Sequence, residues 1–374
     1  MSPNAADGAR RGAVVVKVGT SSITDPRGEV AQGAVVKLCE EVVALRAGGR
    51  RVVLVTSGAI AAGLAPLGFA GDRPADPATL QAVSAVGQSR LMRVYDDVLA
   101  GCGVLGGQVL LAPLDFVHRQ QYLHARQTLT RLLDLGVVPV VNENDAVADD
   151  EIRFGDNDRL AALVAHLVRA EVLVLLTDTP GLHTADPRVH AEASLIEEVV
   201  EVDQALEARA GRAGTDRGSG GMASKLTAAK MAAWSGIRAV IADAGRQGVL
   251  ADAVAGAPGV GTTVRPRGRR LPARKLWIAF AVGASGTVVV DDGARAALTT
   301  RGRSLLPAGV LAVDGDFRSE DAVEVVDRHG QVFAKGLARH SGTRLTRWAG
   351  WHTSKLPPDV APEVIHRDDL VVLG

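Results

Sequence analysis

The chain has 374 residues, which exceeds the length at which one hydrophobic core usually stops growing, so we expect two domains. Apolar residues make up 47% and aromatic residues only 3%, a balance that favours buried parallel strands covered by helices over an aromatic-rich sandwich. Lys+Arg and Asp+Glu both number 42, which removes any argument from whole-chain charge for a nucleic-acid, membrane or acidic partner.

The sequence carries no clear export or membrane-anchoring feature. A basic pair precedes a short apolar run near the start, but Lys17 and Gly19 interrupt that run and no cleavage pattern follows. Other apolar stretches fall short of the roughly 18 residues that a membrane span needs. Cys39 and Cys102 have neither CxxC spacing nor companion histidines, so we expect no disulfide framework and no zinc site. We expect a cytoplasmic protein with a disordered tail at residues 1–11.

Short β-branched runs alternate with longer helical patterns through the first two thirds of the chain. The predicted strands are residues 14–18, 52–56, 108–111, 137–141, 172–177 and 239–242. The predicted helices between them include residues 35–47, 80–99, 119–135 and 160–169. This rhythm predicts a three-layer α/β domain with a parallel sheet, which we place at residues 12–265.

The alternation of strands and helices ends at the segment RPRGRRLPARK. Its basic residues, prolines and glycine are typical of a linker, which we place at residues 266–282. Short strands separated by Gly and Asp turns follow, and two of them form a predicted hairpin joined at residues 327–330. We therefore predict a compact, mainly β domain at residues 283–364 and a C-terminal tail at residues 365–374.

The first strand ends in a lysine, and lysine is scarce here, with seven against 35 arginines. Lys17 lies in VVVKVGTSS, where Gly19 permits a tight turn. Ligands of open α/β sheets bind outside the carboxyl ends of the strands, so Lys17 would point into that crevice as a compact positive charge. A strand-end lysine without any ligand gives the same local pattern.

The second strand leads into TSGAIAAG, a Gly turn followed by a helix. Amides at a helix N-terminus can bind a phosphate or a carboxylate. Ser57 is equally well placed to cap that helix, and the two roles are compatible.

The segment VVPVVNENDAVADDEIRFGDNDRLAAL at residues 137–163 is the most unusual stretch. An apolar strand ends in amides and carboxylates that include Asp145, and a short connection brings Asn157 and Asp158 to the start of a helix. So many polar groups at the end of a strand could hold a polar zwitterion through hydrogen bonds. The alternative is that an aspartate at the start of this helix only caps it.

Two later segments could meet a nucleotide. The strand VLVLLT ends at Thr177 and is followed by Asp178, where a nucleotide or Mg²⁺ could bind. The segment GSGGMASKLTAAK then places glycines before a helix that contains Lys225, which suits ATP phosphates. It has neither Walker A nor GxGxxG spacing, so taken alone it could equally be a solvated connection.

Seven segments in order closely resemble the glutamate 5-kinase branch of the amino-acid kinase family. They are KVGTS, VTSGAIAAG, AVGQSRL, VNENDAVA, FGDND, LLTDTPGLHTADPR and SGGMASK, and the resemblance spans nearly all of residues 12–264. The downstream segments DDGARAAL, SLLPAGV, GDF and HRDD resemble the PUA domain that many bacterial members carry. A chance match to so many motifs in the same order is far less probable than a chance match to one of them.

The resemblance implies transfer of the γ-phosphoryl group of ATP to the 5-carboxylate of L-glutamate, with Mg²⁺, as the first step of proline biosynthesis. It also implies feedback inhibition by proline, a homo-oligomer and hand-over of the product to glutamyl phosphate reductase. RNA binding by the PUA domain is left open, and no residue is assigned as a direct metal ligand.

Carried over residue by residue, the resemblance assigns Lys17 and Lys225 to the flanks of the transferring phosphoryl group, with Asp158 orienting both lysines. Glutamate would be bound by Ser57, Asp145 and Asn157. The positions implied for ATP are Lys17, Thr177, Asp178, Ser219, Gly220, Gly221, Met222, Ala223, Ser224 and Lys225. The sequence departs from the family at Ser219, where Thr is common, and at Thr179-Pro180, which leaves the adenine contacts open.

Two rival interpretations remain. Another kinase of the same fold, acting on acetylglutamate, aspartate, carbamate or uridylate, is opposed by VNENDAVA, FGDND and the PUA-like domain. An RNA-binding factor that acts through the second domain and RPRGRRLPARK is opposed by the neutral whole-chain charge and by the lack of interleaved aromatics.

Overall fold

The structure is a computed structural model of the whole chain. It describes residues 12–25, 28–69, 72–116, 118–147, 157–185, 189–190, 192–212, 221–268 and 270–373. The chain divides into two compact units, Met1–Arg270 and Leu271–Gly374.

The first unit is built on one large sheet. Its strands are β1 (Ala13–Val18), β2 (Arg51–Thr56), β3 (Gly106–Leu111), β4 (Val138–Glu143), β5 (Val172–Thr177), β6 (Glu198–Val199), β7 (Arg238–Asp243) and β8 (Gly261–Val264). Among the described residues these eight strands are ordered β3-β4-β2-β1-β5-β7-β8-β6. Neighbours run parallel, except for the antiparallel pair β7 and β8.

Helices cover both faces of this sheet. They are α1 (Thr20–Ile23), α2 (Gln32–Ala47), α3 (Ala59–Leu64), α4 (Pro77–Gly101), α5 (Arg119–Asp134), α6 (Asn157–Leu167), α7 (Gln204–Arg212), α8 (Met222–Trp234) and α9 (Val249–Ala255). Short 3₁₀ turns occupy Ala65–Leu67 and Pro113–Phe116. The prediction of a layered α/β domain with a mainly parallel sheet is confirmed.

The central strand β1 separates two packed layers. Val14, Val16 and Val18 belong to a core that includes residues of α2, α4 and α9. Because side chains alternate along a strand, Val15 and Lys17 face the opposite layer, where α6 contacts β1. The strand is buried along its whole length, as expected for a parallel strand covered on both faces. This alternation places the amine of Lys17 on the α6 side of the sheet.

Helices α3 and α4 meet at glycines. A Cβ added to Gly87 would lie 1.7 Å from the carbonyl oxygen of Ala59, and one added to Gly63 would lie 2.0 Å from that of Val83. No side chain larger than hydrogen fits at either position without moving a backbone. The contact therefore fixes α4 directly against the turn that follows β2.

The second unit contains a five-stranded mixed sheet among its described residues. With strand numbers continued from the first unit, the order is β10-β9-β11-β12-β13. These are β9 (Gly286–Val290), β10 (Val310–Asp314), β11 (Ala322–Val326), β12 (Val332–Leu337) and β13 (Leu370–Val372). Its helices are α10 (Ala273–Leu276), α11 (Asp292–Arg301) and α12 (Gly342–Trp348), with a π-helical turn at Trp277–Ala281 and 3₁₀ turns at Pro307–Gly309, Thr353–Lys355 and Arg367–Asp369.

The predicted hairpin of the second unit is confirmed as β11 and β12. In its turn the Asp327 carboxylate accepts hydrogen bonds from the backbone N–H groups of His329 and Gln331, and Gly330 has φ +78°. That left-handed conformation favours glycine, which explains how the turn closes.

The segment predicted as a linker, residues 266–282, contains α10 and the π-helical turn. Leu276 and Ile278 are buried there, and the Lys275 ammonium donates to the carbonyl of Arg367 at 2.9 Å. The apolar run after the basic residues is what packs this segment onto the second unit. The tail predicted at 365–374 contains β13, which pairs with β12. The domain limits 12–265 and 283–364 stay predictions.

Among the described residues, no helix combines the length and the apolar composition that a membrane span requires.

Candidate active site

A buried carboxylate lies between two lysines at the centre of the first unit. The Lys17 Nζ atom is 2.6 Å from Asp158 Oδ1, and the Lys225 Nζ atom is 3.3 Å from Asp158 Oδ2. Asp158 is fully buried, and Lys17 and Lys225 are 2% and 4% exposed. Charged groups are almost never buried to this degree unless they are paired, so the arrangement marks a special site.

Asp158 is held in its ionised form. Burial alone would raise its pKa, but the charges of Lys17 and Lys225 and hydrogen bonds from Lys17 and Ser224 outweigh burial and hold the pKa below its ordinary value. The Ser224 hydroxyl lies 2.7 Å from Asp158 Oδ2 and 2.9 Å from the carbonyl oxygen of Gly221. The carboxylate thus serves as a fixed acceptor for groups from β1 and α8.

Three separate elements deliver these side chains. Lys17 is the next-to-last residue of β1, Asp158 is in the first turn of α6, and Lys225 is in the first turn of α8. The carboxyl ends of the parallel strands and the starts of these helices lie at the same edge of the sheet, where open α/β domains bind ligands. The edge therefore presents two ammonium groups in a largely dry environment.

A chain of amides continues from Asp158 along this edge. The Asn157 amide donates to the Ser57 hydroxyl at 3.0 Å and to the Asn142 side-chain oxygen at 2.9 Å. The Asn142 amide in turn donates to Gln88 Oε1 at 2.8 Å. Ser57 and Asn157, two of the residues predicted to bind L-glutamate, are therefore in direct contact.

Asp145, the third residue predicted to bind L-glutamate, joins this network through α4. Its carboxylate accepts a hydrogen bond from the Ser84 hydroxyl at 2.9 Å. Ser84 and Gln88 are four residues apart on one helix and so share a face. Neither was singled out from the sequence, although both belong to α4 and Gln88 lies within the AVGQSRL segment.

Two buried polar atoms of this network have no hydrogen-bond partner among the described residues. They are Asn157 Oδ1, an acceptor, and Gln88 Nε2, a donor. A buried polar group without a partner is unfavourable, so such atoms often mark where a ligand or an ordered water binds. One donor and one acceptor suit a ligand that carries both ammonium and carboxylate groups.

A second group of predicted residues lines a cavity of about 330 Å³ beyond the end of β5. Thr177 and Asp178 lie on its wall together with Asp243, Lys37 and Glu41. The Lys37 ammonium is held by Glu41 and by the carbonyl of Ala244, at 2.8 and 2.9 Å. Carboxylates outnumber ammonium groups on this wall, which suits hydroxyl and amino groups of a ligand better than phosphates.

The predicted phosphate loop is described only in part. Ser219 and Gly220 lie outside the described residues. Gly221 precedes α8, and Met222, Ala223, Ser224 and Lys225 form its first turn. Of these, Ser224 and Lys225 contact Asp158 directly.

No group of three or more His, Cys, Asp or Glu side chains within the described ranges is arranged to hold a metal ion. The described residues therefore form no all-protein metal cage. They remain compatible with Mg²⁺ held mainly by ligand phosphates and water, which is its usual mode in phosphoryl-transfer sites.

Comparison with family models matches residues 12–243 to the amino acid kinase family and residues 286–357 to the PUA domain. The first match covers more than half of the chain, and the second lies within the second unit. Both agree with the resemblance noted in the sequence.

Curated relatives match along almost the whole chain. The glutamate 5-kinase of Pelobacter propionicus is 43% identical over 364 residues, covering 96% of this chain and 97% of the relative. That of Myxococcus xanthus is 46% identical over 364 residues, covering 96% of each. Among solved structures, a carbamate kinase from Giardia lamblia bound to AMP-PNP has a TM-score of 0.50 at 17% identity, covering 69% of this chain and 99% of the other, which supports the fold alone.

Proposed function

The chain belongs to the glutamate 5-kinases of the amino acid kinase family, and from this premise we propose how its site phosphorylates glutamate. The reaction moves the γ-phosphoryl group of ATP to the 5-carboxylate of L-glutamate and is the first step of proline biosynthesis. The observation that carries the proposal is the contact of Lys17 and Lys225 with one buried carboxylate, Asp158.

We assign the two lysines to the charge that moves during transfer. Negative charge shifts to the bridging oxygen of the departing ADP, and ammonium groups positioned beforehand stabilise it without reorganisation. Asp158 holds both amines in place, since its two oxygens contact one lysine each. The acceptor carboxylate is already ionised near pH 7, so the reaction needs no general base, and alignment supplies most of the remaining gain.

We assign the amide network to L-glutamate. Asn157 and Ser57 are hydrogen-bonded to each other, and Asp145 is held by Ser84. The unpaired Asn157 Oδ1 atom accepts from the substrate ammonium, while the carboxylate of Asp145 offers it a counter-charge. The unpaired Gln88 amide donates to a substrate carboxylate.

We assign the nucleoside of ATP to the cavity at the carboxyl end of β5 and its phosphates to the start of α8. Thr177 and Asp178 line the cavity of about 330 Å³ whose acidic wall suits the nucleoside hydroxyl and amino groups. The segment Ser219, Gly220, Gly221, Met222, Ala223, Ser224 and Lys225 is assigned to the phosphates. Mg²⁺, when bound, neutralises phosphate charge, and the carboxylate of Asp178 is the residue we assign to its neighbourhood.

Further properties are proposed from the family resemblance alone. They are a homo-oligomer, feedback inhibition by proline, hand-over of the reactive acyl phosphate to glutamyl phosphate reductase, and RNA binding by the PUA domain. An acyl phosphate released into water is hydrolysed, which is the chemical reason for a direct hand-over. A cytoplasmic location is proposed from the cysteine pattern, which fits a reducing compartment.

A trapping experiment tests the reaction. The full chain is incubated with ATP, Mg²⁺ and hydroxylamine together with L-glutamate, L-aspartate or N-acetyl-L-glutamate, and the hydroxamate is measured. We expect rapid hydroxamate formation with L-glutamate and far less with the other two acids. A preference for aspartate or acetylglutamate would contradict the substrate, and the absence of any ATP-dependent hydroxamate would contradict the reaction.

A further inference from the structure

A second cavity, of about 380 Å³, lies in the first unit and shares no lining residue with the cavity next to Thr177. We call it the arginine cavity, and its polar lining consists of Tyr122, Arg126, His166, Arg169, Ser235 and Arg270. His166 is in the last turn of α6, whereas Asp158 is in the first. Eight residues of helix span about 12 Å, so this cavity is separate from the proposed catalytic centre.

The charge of this cavity is unbalanced. Three guanidinium groups line it, and none of its lining residues in the described part of the chain carries a carboxylate. Among the ion pairs and side-chain hydrogen bonds of the described residues, none involves the guanidinium of Arg126, Arg169 or Arg270. The described residues supply no counter-ion, and three like charges around one space repel one another, so an anion that enters relieves this repulsion.

The neighbouring histidine responds to this field. Burial, followed by the charges of Arg270, Arg126 and Arg169, lowers the pKa of His166 to about 4. Its imidazole is therefore neutral near pH 7 and can donate one hydrogen bond. With the hydroxyl of Tyr122, it gives the cavity neutral donors beside the three positive charges. The Ser235 hydroxyl already donates to the carbonyl oxygen of Met231 at 2.9 Å.

Arg169 also adopts an unusual backbone. Its φ is +52°, in the left-handed region that glycine normally occupies after a helix. A non-glycine residue held in this region stores strain, and such strain clusters at functional sites. Here it directs a guanidinium toward the cavity immediately after α6.

The dipole of α6 explains only part of this charge. Helix C-termini favour cations, so Arg169 has a structural reason to lie there. Arg126, however, comes from the middle of α5, and Arg270 comes from the end of the first unit. A helix end does not require guanidinium groups from two further segments.

We propose that the arginine cavity binds a small oxyanion that carries at least two negative charges. Guanidinium groups pair with phosphate and carboxylate oxygens through two parallel hydrogen bonds, and three of them around one space suit a multivalent anion. The volume is within the range of small-molecule pockets. Phosphate esters and polycarboxylates share this chemistry, and their relative affinities distinguish them.

The test titrates inorganic pyrophosphate, and separately citrate, into the full chain by calorimetry at 0.15 M salt, with ADP present to occupy the nucleotide site. Arg126→Gln and Arg270→Gln remove one charge each, and Arg131→Gln is the matched control, an exposed arginine on the same helix as Arg126. Losing one charge-assisted contact should weaken binding about tenfold or more, while Arg131→Gln should leave it within about twofold.

The result that supports the proposal is binding of at least one of the two anions to the wild type and its weakening in both cavity variants. Tighter binding of pyrophosphate assigns the site to phosphates, and tighter binding of citrate assigns it to polycarboxylates. Failure of both anions to bind, or binding that both cavity variants leave unchanged, overturns it. The test measures binding and locates the site with arginine variants, so its result does not depend on kinase activity.

Thermal unfolding gives a second readout that does not rest on calorimetry. Removing one of three unbalanced charges should leave the apparent Tm of the ligand-free variant equal or higher. Pyrophosphate or citrate should raise the Tm of the wild type and of Arg131→Gln by more than that of Arg126→Gln. Equal increases in all of these chains would contradict a site in the arginine cavity.

Discussion

The Nζ atom of Lys17 lies 2.6 Å from Oδ1 of Asp158, and both side chains are almost completely buried. The pair fixes the amine at the carboxyl end of the central strand before any substrate arrives. In the proposed mechanism its charge is needed most when the phosphoryl group moves, because that is when negative charge grows on the departing oxygen.

The first prediction concerns that amine. Lys17→Ala should lower kcat by about a hundredfold or more, equivalent to roughly 3 kcal/mol of transition-state stabilisation, and should change KM for glutamate much less. Steady-state kinetics check this, with circular dichroism to verify folding. Lys355→Ala, at an exposed lysine of the second unit, is the control and should retain kcat. A near-normal kcat for Lys17→Ala would remove this residue from the chemistry.

The second prediction concerns substrate binding. Asn157 contacts Ser57 and Asn142, and its free acceptor is assigned to glutamate in ground and transition states alike. Asn157→Ala should therefore raise KM for glutamate about two- to tenfold, leave KM for ATP nearly unchanged and reduce kcat comparatively little. Kinetics with each substrate varied in turn measure this. An effect confined to KM for ATP would show that the residue belongs to the nucleotide side.

The third prediction tests the contact between α3 and α4. Gly87→Ala places a methyl carbon 1.7 Å from the Ala59 carbonyl oxygen, so the helices must separate. Overpacking of this kind costs about 1–3 kcal/mol, and it should also raise KM for glutamate, because α4 carries Ser84 and Gln88. Gly101→Ala is the matched control on the same helix, since nothing lies within 4 Å of its added Cβ. Equal Tm values for the two variants would contradict the close packing.

The fourth prediction is a pH dependence. With a pKa of about 4, His166 should stay neutral between pH 7.5 and 5.5, where an ordinary imidazole with a pKa of about 6.5 becomes protonated. In that window the unfolded chain takes up the proton and the folded chain does not. The free energy of unfolding should therefore fall as pH falls from 6.5 toward 4, by at most about 1.4 kcal/mol per pH unit for this group.

The NMR titration of the His166 ring, assigned by its disappearance in His166→Gln, measures this pKa directly. A midpoint at or above 6.5 without added anion would contradict the electrostatic description of the arginine cavity. The same variant should flatten the loss of stability between pH 6.5 and 4, whereas His352→Gln, at an exposed histidine of the second unit, should not.

The fifth prediction concerns domain independence. All residues assigned to catalysis precede residue 270, where the first unit ends. A fragment of residues 1–270 should fold and retain measurable glutamate kinase activity. The fragment must keep Arg267, because its guanidinium lies 4.2 Å from the ring centre of Trp234 and its N–H donates to Ala233. A soluble, folded but inactive fragment would mean that the second unit contributes to the site.

Much of the candidate site could be predicted because it occupies the ends of apolar strands. Lys17, Ser57, Asp145 and Thr177 each lie at or just after the end of such a strand. In a parallel sheet these ends share one edge, so polar residues at separate strand ends converge whatever their distance along the chain. Asp158 was predictable for a related reason, since it lies in the first turn of the helix that follows the polar residues at the end of β4.

The residues that escaped prediction depend on packing between elements. Ser84 and Gln88 lie within α4, where nothing local separates a ligand-facing polar residue from a solvent-facing one. Their position follows from the contact of Gly87 with Ala59, which is a property of two helices together. The arginine cavity draws on four segments distant in sequence, so no spacing pattern could indicate it.

The pairing of β1 with β5 also constrains the order in which the chain can fold. Val14 lies opposite Val172, so the central strand lacks one neighbour until most of the first unit has been synthesised. At translation rates of about 5–20 residues per second, that interval lasts roughly 10–30 s. During it the β5-facing edge of an apolar strand is unpaired, which is when a nascent chain is most prone to aggregate. A chaperone that acts on this protein would therefore act before β5 emerges from the ribosome.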